Sequence, residues 1–378
     1  MSIDHILRKE NIENIVPLST LEVNKIATVV STKLCNAFPE HNLNQSDLFI
    51  SLARLNMYTA KMPNTSSSAK YFYKNNSIYF KDNLDFETLD TLSIHECIHF
   101  MQELKDENGK LLRMGLYNLE KFKDTGLALN EAAVQTMASI CTNCEEDEVK
   151  YYNMDIKTIS PDYYPLECAL INQMIYFTGS YPLFHSTLFS DDIFKNTFIA
   201  KSSLKTYCTI EKNFDLILEC QDSLTGLLFE LQDSAKNLNY IKKINLKIYK
   251  LKKQISNLCI ETQNLIIKDC FTKEFESIKN KRDLKDFQKH LYNFKNVLIY
   301  ADNDASFYNT FYCDIMTKLD EKRELLEKNG ILTFIERDLA LVEADMFNVN
   351  LFKKLMDKLK WVVKFRISEQ AKNTDNSK

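Results

Sequence analysis

The chain has 378 residues, a net charge of −4 and a pI near 6.0, and it is 45% apolar and 26% charged. This composition is typical of a globular protein that can bury sizeable cores. The charge balance gives no reason to expect nucleic acid or an acidic membrane surface as a partner. The sequence contains no run of about 18 consecutive apolar residues, so we expect no membrane span.

The N-terminal segment lacks the apolar stretch that a secretory signal requires. Ten cysteines stand at irregular spacing, which favours reduced thiols over a disulfide framework in a chain of this length. We therefore predict a cytoplasmic protein, although export by a route without a cleaved signal stays open.

The first half of the chain is predicted to mix helices and strands. Residues 20–60 have the pattern of helices. Two aromatic-rich runs, 70–74 and 77–81, flank Asn75-Asn76, and asparagine tolerates the positive φ that a tight turn requires. These runs predict a β-hairpin, and a second hairpin is predicted between residues 110 and 123.

The second half is predicted to be almost wholly helical. All six prolines precede residue 183, and only Gly226 and Gly330 interrupt the remainder. Apolar residues alternate at spacings of four and three over 224–238 and again over 241–258, the pattern of a coiled-coil-like seam. A long antiparallel helical hairpin explains this seam. The alternative is a coil through 224–266 that binds a helical partner or self-associates.

Residues 95–99 read His-Glu-Cys-Ile-His, the HExxH pattern. On a helix, positions i and i+4 share one face, so His95 and His99 can bind one ion. An apolar stripe through the surrounding residues predicts this helix, with Asp85 as its N-cap and Asn108-Gly109 as its end. Glu96 would border the ion without binding it and act as the general base.

A metal site of this kind requires a third protein ligand. The third histidine of the metzincin pattern is absent. Glu131 is the better candidate, because it opens an alanine-rich helix together with Asn130, and Gln135 follows one turn later, where it can steady a ligand. Glu120 is a rival that lies nearer along the chain. With both histidines and one glutamate bound, Zn²⁺ keeps an open position for water and lowers the pKa of that water to roughly 7.

These residues resemble the gluzincins, the metallopeptidase superfamily in which HExxH is completed by a glutamate on a following helix. The matching residues are His95, Glu96, His99, Asn130 and Glu131. The resemblance covers roughly residues 70–140. It implies that the two histidines and the later glutamate bind zinc, that the motif glutamate is the general base, and that the substrate is a peptide.

The chain departs from that pattern in two ways. The gap between the second histidine and Glu131 is longer than in thermolysin-like members, which is consistent with an inserted hairpin. Gln135 stands where those members have an aspartate.

The resemblance also implies a histidine or tyrosine, further along the chain, that stabilises the oxyanion of the attacked carbonyl. His185 or Tyr181, on a predicted loop after a helix, is expected to serve here. In zincins generally, an edge strand near the motif helix pairs with an extended substrate, and the hairpin at 70–81 occupies that place in the sequence. A hairpin that only covers the helix explains the same residues.

We therefore predict an α-dominated α+β fold in three parts. Residues 1–195 form a zincin-like metallopeptidase domain with a small antiparallel sheet, residues 196–367 an all-helical domain with a long helical hairpin, and residues 368–378 a disordered tail. The predicted function is zinc-dependent hydrolysis of peptide bonds in a protein or peptide substrate. The alternatives are a zinc amidohydrolase acting on a non-peptide amide and a helical interaction protein with a vestigial zinc site, and the metal content discriminates the latter.

Overall fold

A computed structural model of the protein describes residues 3–63, 68–119, 124–232, 238–301 and 306–328. About 66% of these residues are helical, and the strands form three small sheets, which confirms the predicted α-dominated α+β class. The chain divides into two compact units, Met1–Lys322 and Arg323–Lys378. The predicted boundary at residue 195 lies inside the first unit and stays a prediction, and the predicted tail lies outside the described residues.

Helices and strands alternate in the first part of the chain, and helices dominate the second. The elements of the first part are α1 (Ile3–Lys9), β1 (Glu13–Pro17), α2 (Thr20–Ala37), α3 (Gln45–Ala53), β2 (Asn56–Lys61), β3 (Ala69–Phe72), β4 (Ser77–Lys81), α4 (Thr91–Met101), β5 (Glu103–Lys105), β6 (Leu111–Met114), β7 (Tyr117–Asn118), α5 (Leu127–Cys141), β8 (Asp147–Tyr151) and β9 (Met154–Thr158). Those of the second part are α6 (Pro165–Thr178), α7 (Ser180–Phe189), α8 (Ile193–Lys201), α9 (Leu204–Gln232), α10 (Leu238–Glu276), α11 (Lys281–Asn293), β10 (Tyr300–Ala301) and α12 (Ser306–Lys328), with short 3-10 helices at Pro39–His41 and Phe294–Val297.

The first predicted hairpin is present as β3 and β4, which are antiparallel with Phe72 opposite Ser77. Strand β4 inserts beside β2, so the sheet order is β1-β2-β4-β3 and β3 is an edge strand. The pair β2–β4 is parallel. The predicted antiparallel sheet is therefore wrong for this pair, because the chain crosses from β2 to the far edge of the sheet before it returns along β4. Strands β3 and β4 contact α4.

The other strand predictions have mixed outcomes. The second predicted hairpin is present as β6 and β7, in an antiparallel sheet that also contains β5. The predicted helical run 20–60 is wrong after α3, because residues 56–61 form β2. The partners of β2 are residues 13–17 and 77–81, so its pairing is decided far from it in sequence.

Helix α4 carries the HExxH residues and begins at Thr91. The carboxylate of Asp90 caps it by accepting a hydrogen bond of 2.8 Å from the backbone N–H of Ser93. The predicted cap, Asp85, is wrong. Its carboxylate instead accepts a hydrogen bond of 2.9 Å from the backbone N–H of Glu87, so its side chain is committed to the preceding turn.

Helix α4 ends at Met101, well before the predicted stop at Asn108-Gly109. The chain passes directly into β5, where Glu103 lies opposite Met114 of β6. Gly109, at φ +77°, lies in the turn that joins β5 to β6. The Asn-Gly signal therefore belongs to a strand connection and not to the end of the helix.

Helix α5 packs on α4 and is almost entirely buried. Small residues permit the close approach, at Ala128, Ala132, Ala133 and Ala138. No side chain of α5 itself caps its N-terminus. The carboxylate of Asp215 on α9 accepts hydrogen bonds from the backbone N–H groups of Gly126 (3.1 Å) and Ala128 (3.0 Å), a position where a negative charge also offsets the helix dipole. Helix α9 thereby holds the start of the helix that carries Glu131.

Helices α9 and α10 form the predicted long antiparallel hairpin. Thr206 contacts Asp269, and further along α9 the side-chain amide of Asn213 donates to the hydroxyl of Thr262 at 3.1 Å. The residue numbers of the partners on α10 thus fall as those on α9 rise, which is the pattern of an antiparallel pair. The seam is buried at Leu224, Ile244, Ile248 and Ile255. The apolar seam is less buried towards the C-terminal end of α9, where Leu228 is exposed.

The second half departs from the all-helical prediction at β10. Tyr300 lies opposite Asp155 of β9, so two residues complete the sheet of β8 and β9. None of the helices in the described ranges is long and apolar enough to cross a membrane. All ten cysteines lie within those ranges and are free, and Cys97 of the HExxH segment is buried in the core.

Glu167, in the first turn of α6, is fully buried. Within the described residues no hydrogen bond of ordinary geometry reaches either carboxylate oxygen, although the side chain of Gln221 lies close enough to favour the ionised form. Burial raises the pKa of Glu167 from 4.5 to about 7. The folded state therefore binds the proton of Glu167 more tightly than the unfolded chain does. The contribution of this protonated carboxyl to the free energy of unfolding is complete below pH 4.5 and is lost as the pH rises through about 7.

We expect Glu167→Gln to raise the free energy of unfolding at pH 8 by about 3 kcal/mol, because the amide removes the cost of a buried charge. Near pH 4.5 the variant and the wild type should differ little. Urea unfolding at both pH values measures this effect. The control is Glu219→Gln at an exposed position of α9. A Glu167→Gln protein that is less stable than the wild type at pH 8 would contradict the prediction.

Candidate metal centre

The structure brings His95, His99 and Glu131 together between α4 and α5. The two histidine Nε2 atoms are 2.8 Å apart. The Glu131 carboxylate lies 3.1 Å from Nε2 of His95 and 3.4 Å from Nε2 of His99. All three side chains are largely buried, and their ligand atoms could hold one metal ion. The rival ligand Glu120 lies outside the described residues.

Gln135, one turn after Glu131 on α5, orients the ring of His95. The side-chain oxygen of Gln135 lies 3.0 Å from Nδ1 of His95. Its amide nitrogen donates to the hydroxyls of Ser160 (2.9 Å) and Ser139 (3.4 Å). This arrangement turns the oxygen toward the ring, so Nδ1 carries the proton and Nε2 faces the centre with its lone pair.

Gln102, immediately after α4, orients His99 in the same way. Its side-chain oxygen lies 3.1 Å from Nδ1 of His99. Its amide nitrogen donates to the backbone carbonyl of Thr187 (2.8 Å), which can only accept, and to the oxygen of Asn130 (3.2 Å). The oxygen of Asn130 also accepts from the backbone N–H of Leu116 (2.9 Å). Asn130, one of the residues that match the gluzincin pattern, contacts Gln102 and not the histidine rings.

Gly115, in the β6–β7 turn, closes against this amide pair. It has φ +58°, and a Cβ at this position would lie 2.2 Å from the oxygen of Asn130 and 2.3 Å from the nitrogen of Gln102. Its backbone N–H donates to the hydroxyl of Ser190 at 2.7 Å. Both the backbone conformation and the close approach require glycine here.

Three electron-pair donors therefore converge at one buried point. A tetrahedral zinc ion with bonds of about 2.0–2.1 Å spaces its ligand atoms about 3.3 Å apart, close to the separations seen between His95, His99 and Glu131. Burial alone lowers the pKa of His99, but the charge of Glu131 outweighs it and raises the pKa to about 9. Burial raises the pKa of Glu131, but the imidazoles outweigh it and hold that pKa well below its usual range. The pocket thus favours positive charge at its centre.

Glu96 points toward the edge strand β3 and is not one of the converging donors. Its carboxylate accepts a hydrogen bond of 2.8 Å from the backbone N–H of Tyr71. Burial raises the pKa of Glu96 above its ordinary value, and the two imidazoles oppose that effect. The sequence prediction that this carboxylate borders the ion is consistent with its place beside the ligands.

Tyr164 is the residue at this site that sequence reasoning missed. Its ring stacks on that of His95, with centroids 6.1 Å apart and planes within 16°. The charge of Glu131, and then burial, raises the pKa of Tyr164 well above its ordinary value, so the phenol stays an O–H donor. Tyr164 has φ +51° and precedes Pro165, which opens α6. This Tyr-Pro helix start was the signal available in the sequence.

The two residues predicted to stabilise the oxyanion lie together on α7. Nδ1 of His185 is 2.9 Å from the carboxylate of Asp191, and Tyr181 stacks on His41 with ring centroids 4.5 Å apart. Tyr181 is exposed. Among the described residues, the contacts of this pair are with neighbours on that face of the protein, and it is Tyr164 that contacts the ligands. The role predicted for the α7 pair stays a prediction.

Comparison of the chain with protein families, curated proteins and solved structures found no match. The chemistry of the centre is therefore inferred from the residues that form it.

We expect Gln135→Leu to weaken zinc binding about 10- to 100-fold, because the substitution removes the acceptor that orients His95. Competition with a chelating dye measures the affinity. Gln254→Leu, at an exposed position of α10, is the control and should bind zinc like the wild type. Equal affinities for all three proteins would show that the ring needs no such partner.

Proposed function

We propose that this protein is a zinc-dependent peptidase of the gluzincin type. The observation that carries the proposal is that electron-pair donors of His95, His99 and Glu131 converge on one point. The carboxylate of Glu96 lies beside them but is not one of the converging donors, because it accepts a hydrogen bond from the backbone of Tyr71. In a purely structural zinc site, four protein ligands, often cysteines, close the coordination shell. Three ligands beside an unattached acid favour hydrolysis.

The donor set suits zinc. Neutral imidazole nitrogens and one carboxylate are the ligands of zinc hydrolases, and three of them leave a position open. A bound zinc ion supplies Lewis-acid polarisation of the attacked carbonyl and acidifies a water molecule. Gln135 and Gln102 fix the orientation of the two imidazole rings, because their side-chain oxygens bond the Nδ1 atoms of His95 and His99.

Glu96 acts as the proton carrier. It accepts a proton from the attacking water and delivers it to the leaving amine. A carboxylate whose pKa is raised above its ordinary value is suited to both steps, because it accepts a proton more readily than an exposed carboxylate and can still release it to an amine. The backbone N–H of Tyr71 holds one carboxylate oxygen at 2.8 Å, which limits its rotation.

Tyr164 donates to the carbonyl oxygen as that oxygen gains negative charge. Three properties support this role: the ring lies against His95, the hydroxyl interacts with Glu131, and the phenol keeps its proton. Hydrogen bonds to a developing oxyanion in a buried site are among the largest contributions to catalysis.

The edge strand β3 favours a peptide over a small amide as the substrate. Lys81 N–H donates to the carbonyl of Ser68 at 2.9 Å, so the alternation of antiparallel pairs turns the backbone groups of Ala69 and Tyr71 away from β4. The N–H of Tyr71 indeed bonds Glu96. An extended peptide can pair with the carbonyl of Tyr71, which the same alternation turns outward, and pass the candidate centre.

We expect zinc-loaded wild type to generate new peptide termini in a proteome-derived peptide mixture and Glu96→Gln to generate almost none. This substitution keeps the three ligands but removes the proton carrier. Mass spectrometry of the termini measures the products. Zinc content and thermal unfolding must match between the two proteins, so that lost cleavage reports chemistry.

Two outcomes would contradict the proposal. Stoichiometric zinc with no wild-type products would favour a non-peptide amide or a structural role. A protein without zinc, whose unfolding is unchanged by chelation, would favour an interaction protein with a vestigial site.

We expect Tyr164→Phe to lower kcat about 100-fold with little change in zinc content, because the substitution removes one oxyanion donor. Tyr163→Phe, at the exposed neighbouring position, is the matched control. His185→Ala and Tyr181→Phe test the rival assignment in the same assay. If either of these lowers kcat and Tyr164→Phe does not, the oxyanion donor lies on α7.

A further inference from the structure

A cleft of about 350 Å³ lies at the end of the edge strand β3. It is bordered by the β3–β4 turn on one side and the β5–β6 turn on the other. Its lining residues are Tyr73, Lys74, Asn76, Lys105, Gly109, Lys110 and Leu111. Three of these residues are lysines, and none is an acid.

Two of the three lysines are available to a ligand. Lys105 is not, because its ammonium is paired with Glu103 at 2.5 Å and donates to the side-chain oxygen of Asn76 at 2.9 Å. Lys74 and Lys110 are exposed. Within the described part of the chain neither ammonium has a carboxylate at ion-pair distance, and Lys74 lies 5.8 Å from the ring centroid of Tyr73.

The carboxylates near this cleft bind groups other than the ammonium groups of Lys74 and Lys110. Asp106 accepts hydrogen bonds from the backbone N–H groups of Asn108 (2.9 Å) and Lys110 (2.8 Å), and Glu103 holds Lys105. Glu107 is exposed and does not line the cleft. The lining of the cleft therefore presents lysine ammonium groups and no carboxylate, although the charges of Glu103 and Asp106 lie nearby.

The cleft continues the line of the proposed substrate path. Tyr71, whose N–H bonds Glu96, stands three positions before Lys74. Three residues of extended chain span at most about 10 Å. A peptide lying along β3 with its scissile bond beside Glu96 would bring a residue about two to four positions away into the cleft.

We propose that this cleft is a specificity subsite that takes an acidic side chain of the peptide substrate, with Lys74 and Lys110 supplying the attraction. The inference rests on the proposed peptidase function and adds the substrate class to it. Since both ammonium groups are exposed, the interaction is modest and screened by salt.

The test uses one peptide from the cleavage screen, synthesised with Glu, Gln or Lys at each of the four positions on either side of the cleaved bond. We expect one position at which the Glu peptide has a kcat/KM about fivefold above the Gln peptide and further above the Lys peptide. The preference should shrink when the salt concentration rises from about 0.05 M to 0.5 M.

The variant Lys74→Glu/Lys110→Glu should abolish or reverse that preference. Lys253→Glu/Lys289→Glu makes the same change of net charge at exposed positions of α10 and α11 and should keep it. Thermal unfolding and zinc content verify that both variants are folded and loaded.

Different results would contradict the acidic subsite and the peptidase function. Cleavage that ignores the charge of the substrate, or a preference that survives Lys74→Glu/Lys110→Glu, overturns the subsite and leaves the peptidase intact. Wild-type products no more abundant than those of Glu96→Gln overturn the peptidase and the subsite with it.

Discussion

The geometry of the candidate metal centre depends on the orientation of two buried side-chain amides, those of Gln135 and Gln102. Gln135 and Gln102 each commit their nitrogen to acceptors elsewhere, so each must turn its oxygen toward a histidine ring. The ring nitrogens that face away from the centre then carry the protons, and those that face inward carry lone pairs. Two lone pairs and a carboxylate held together in a buried pocket repel one another unless a cation lies between them, either a proton on His99 or a metal ion. The capacity of this cluster to hold a metal ion thus depends on hydrogen bonds made by residues that are not themselves candidate ligands.

The supports of these amides come from widely separated parts of the chain. The hydroxyl of Ser160 and the carbonyl of Thr187 accept from the two glutamines, and Gly115 admits the β6–β7 turn against Gln102 and Asn130. The loop that contains Ser160 also leads to Tyr164, which stacks on a ligand. The segment from Ser160 to Tyr164 thus contributes twice to the surroundings of His95. Ser160 supports Gln135, which orients the ring, and Tyr164 stacks on that ring.

Local patterns predicted correctly that His95, His99 and Glu131 lie together, but they predicted the surroundings of this cluster poorly. His95 and His99 are one turn apart on a single helix, so spacing alone brings them together, and the Asn-Glu-Ala context directs attention to Glu131. Tyr164 comes close only through the packing of α6, and no periodicity reports that. The same limit explains the misplaced helix cap at Asp85, because several aspartates precede the helix and only the three-dimensional turn decides between them. The parallel pairing of β2 and β4 likewise depends on the path of the chain across the sheet.

The cap that Asp215 places on α5 ties the long hairpin to the centre. A fragment cut before α9 would lose the only side chain in the described residues that satisfies the first amides of that helix. Glu131 lies about one turn further along it. The hairpin is thus part of the scaffold that aligns the ligand, and not a separable appendage. A displacement of the hairpin, such as one produced by a molecule docking along it, would therefore act directly on the position of Glu131.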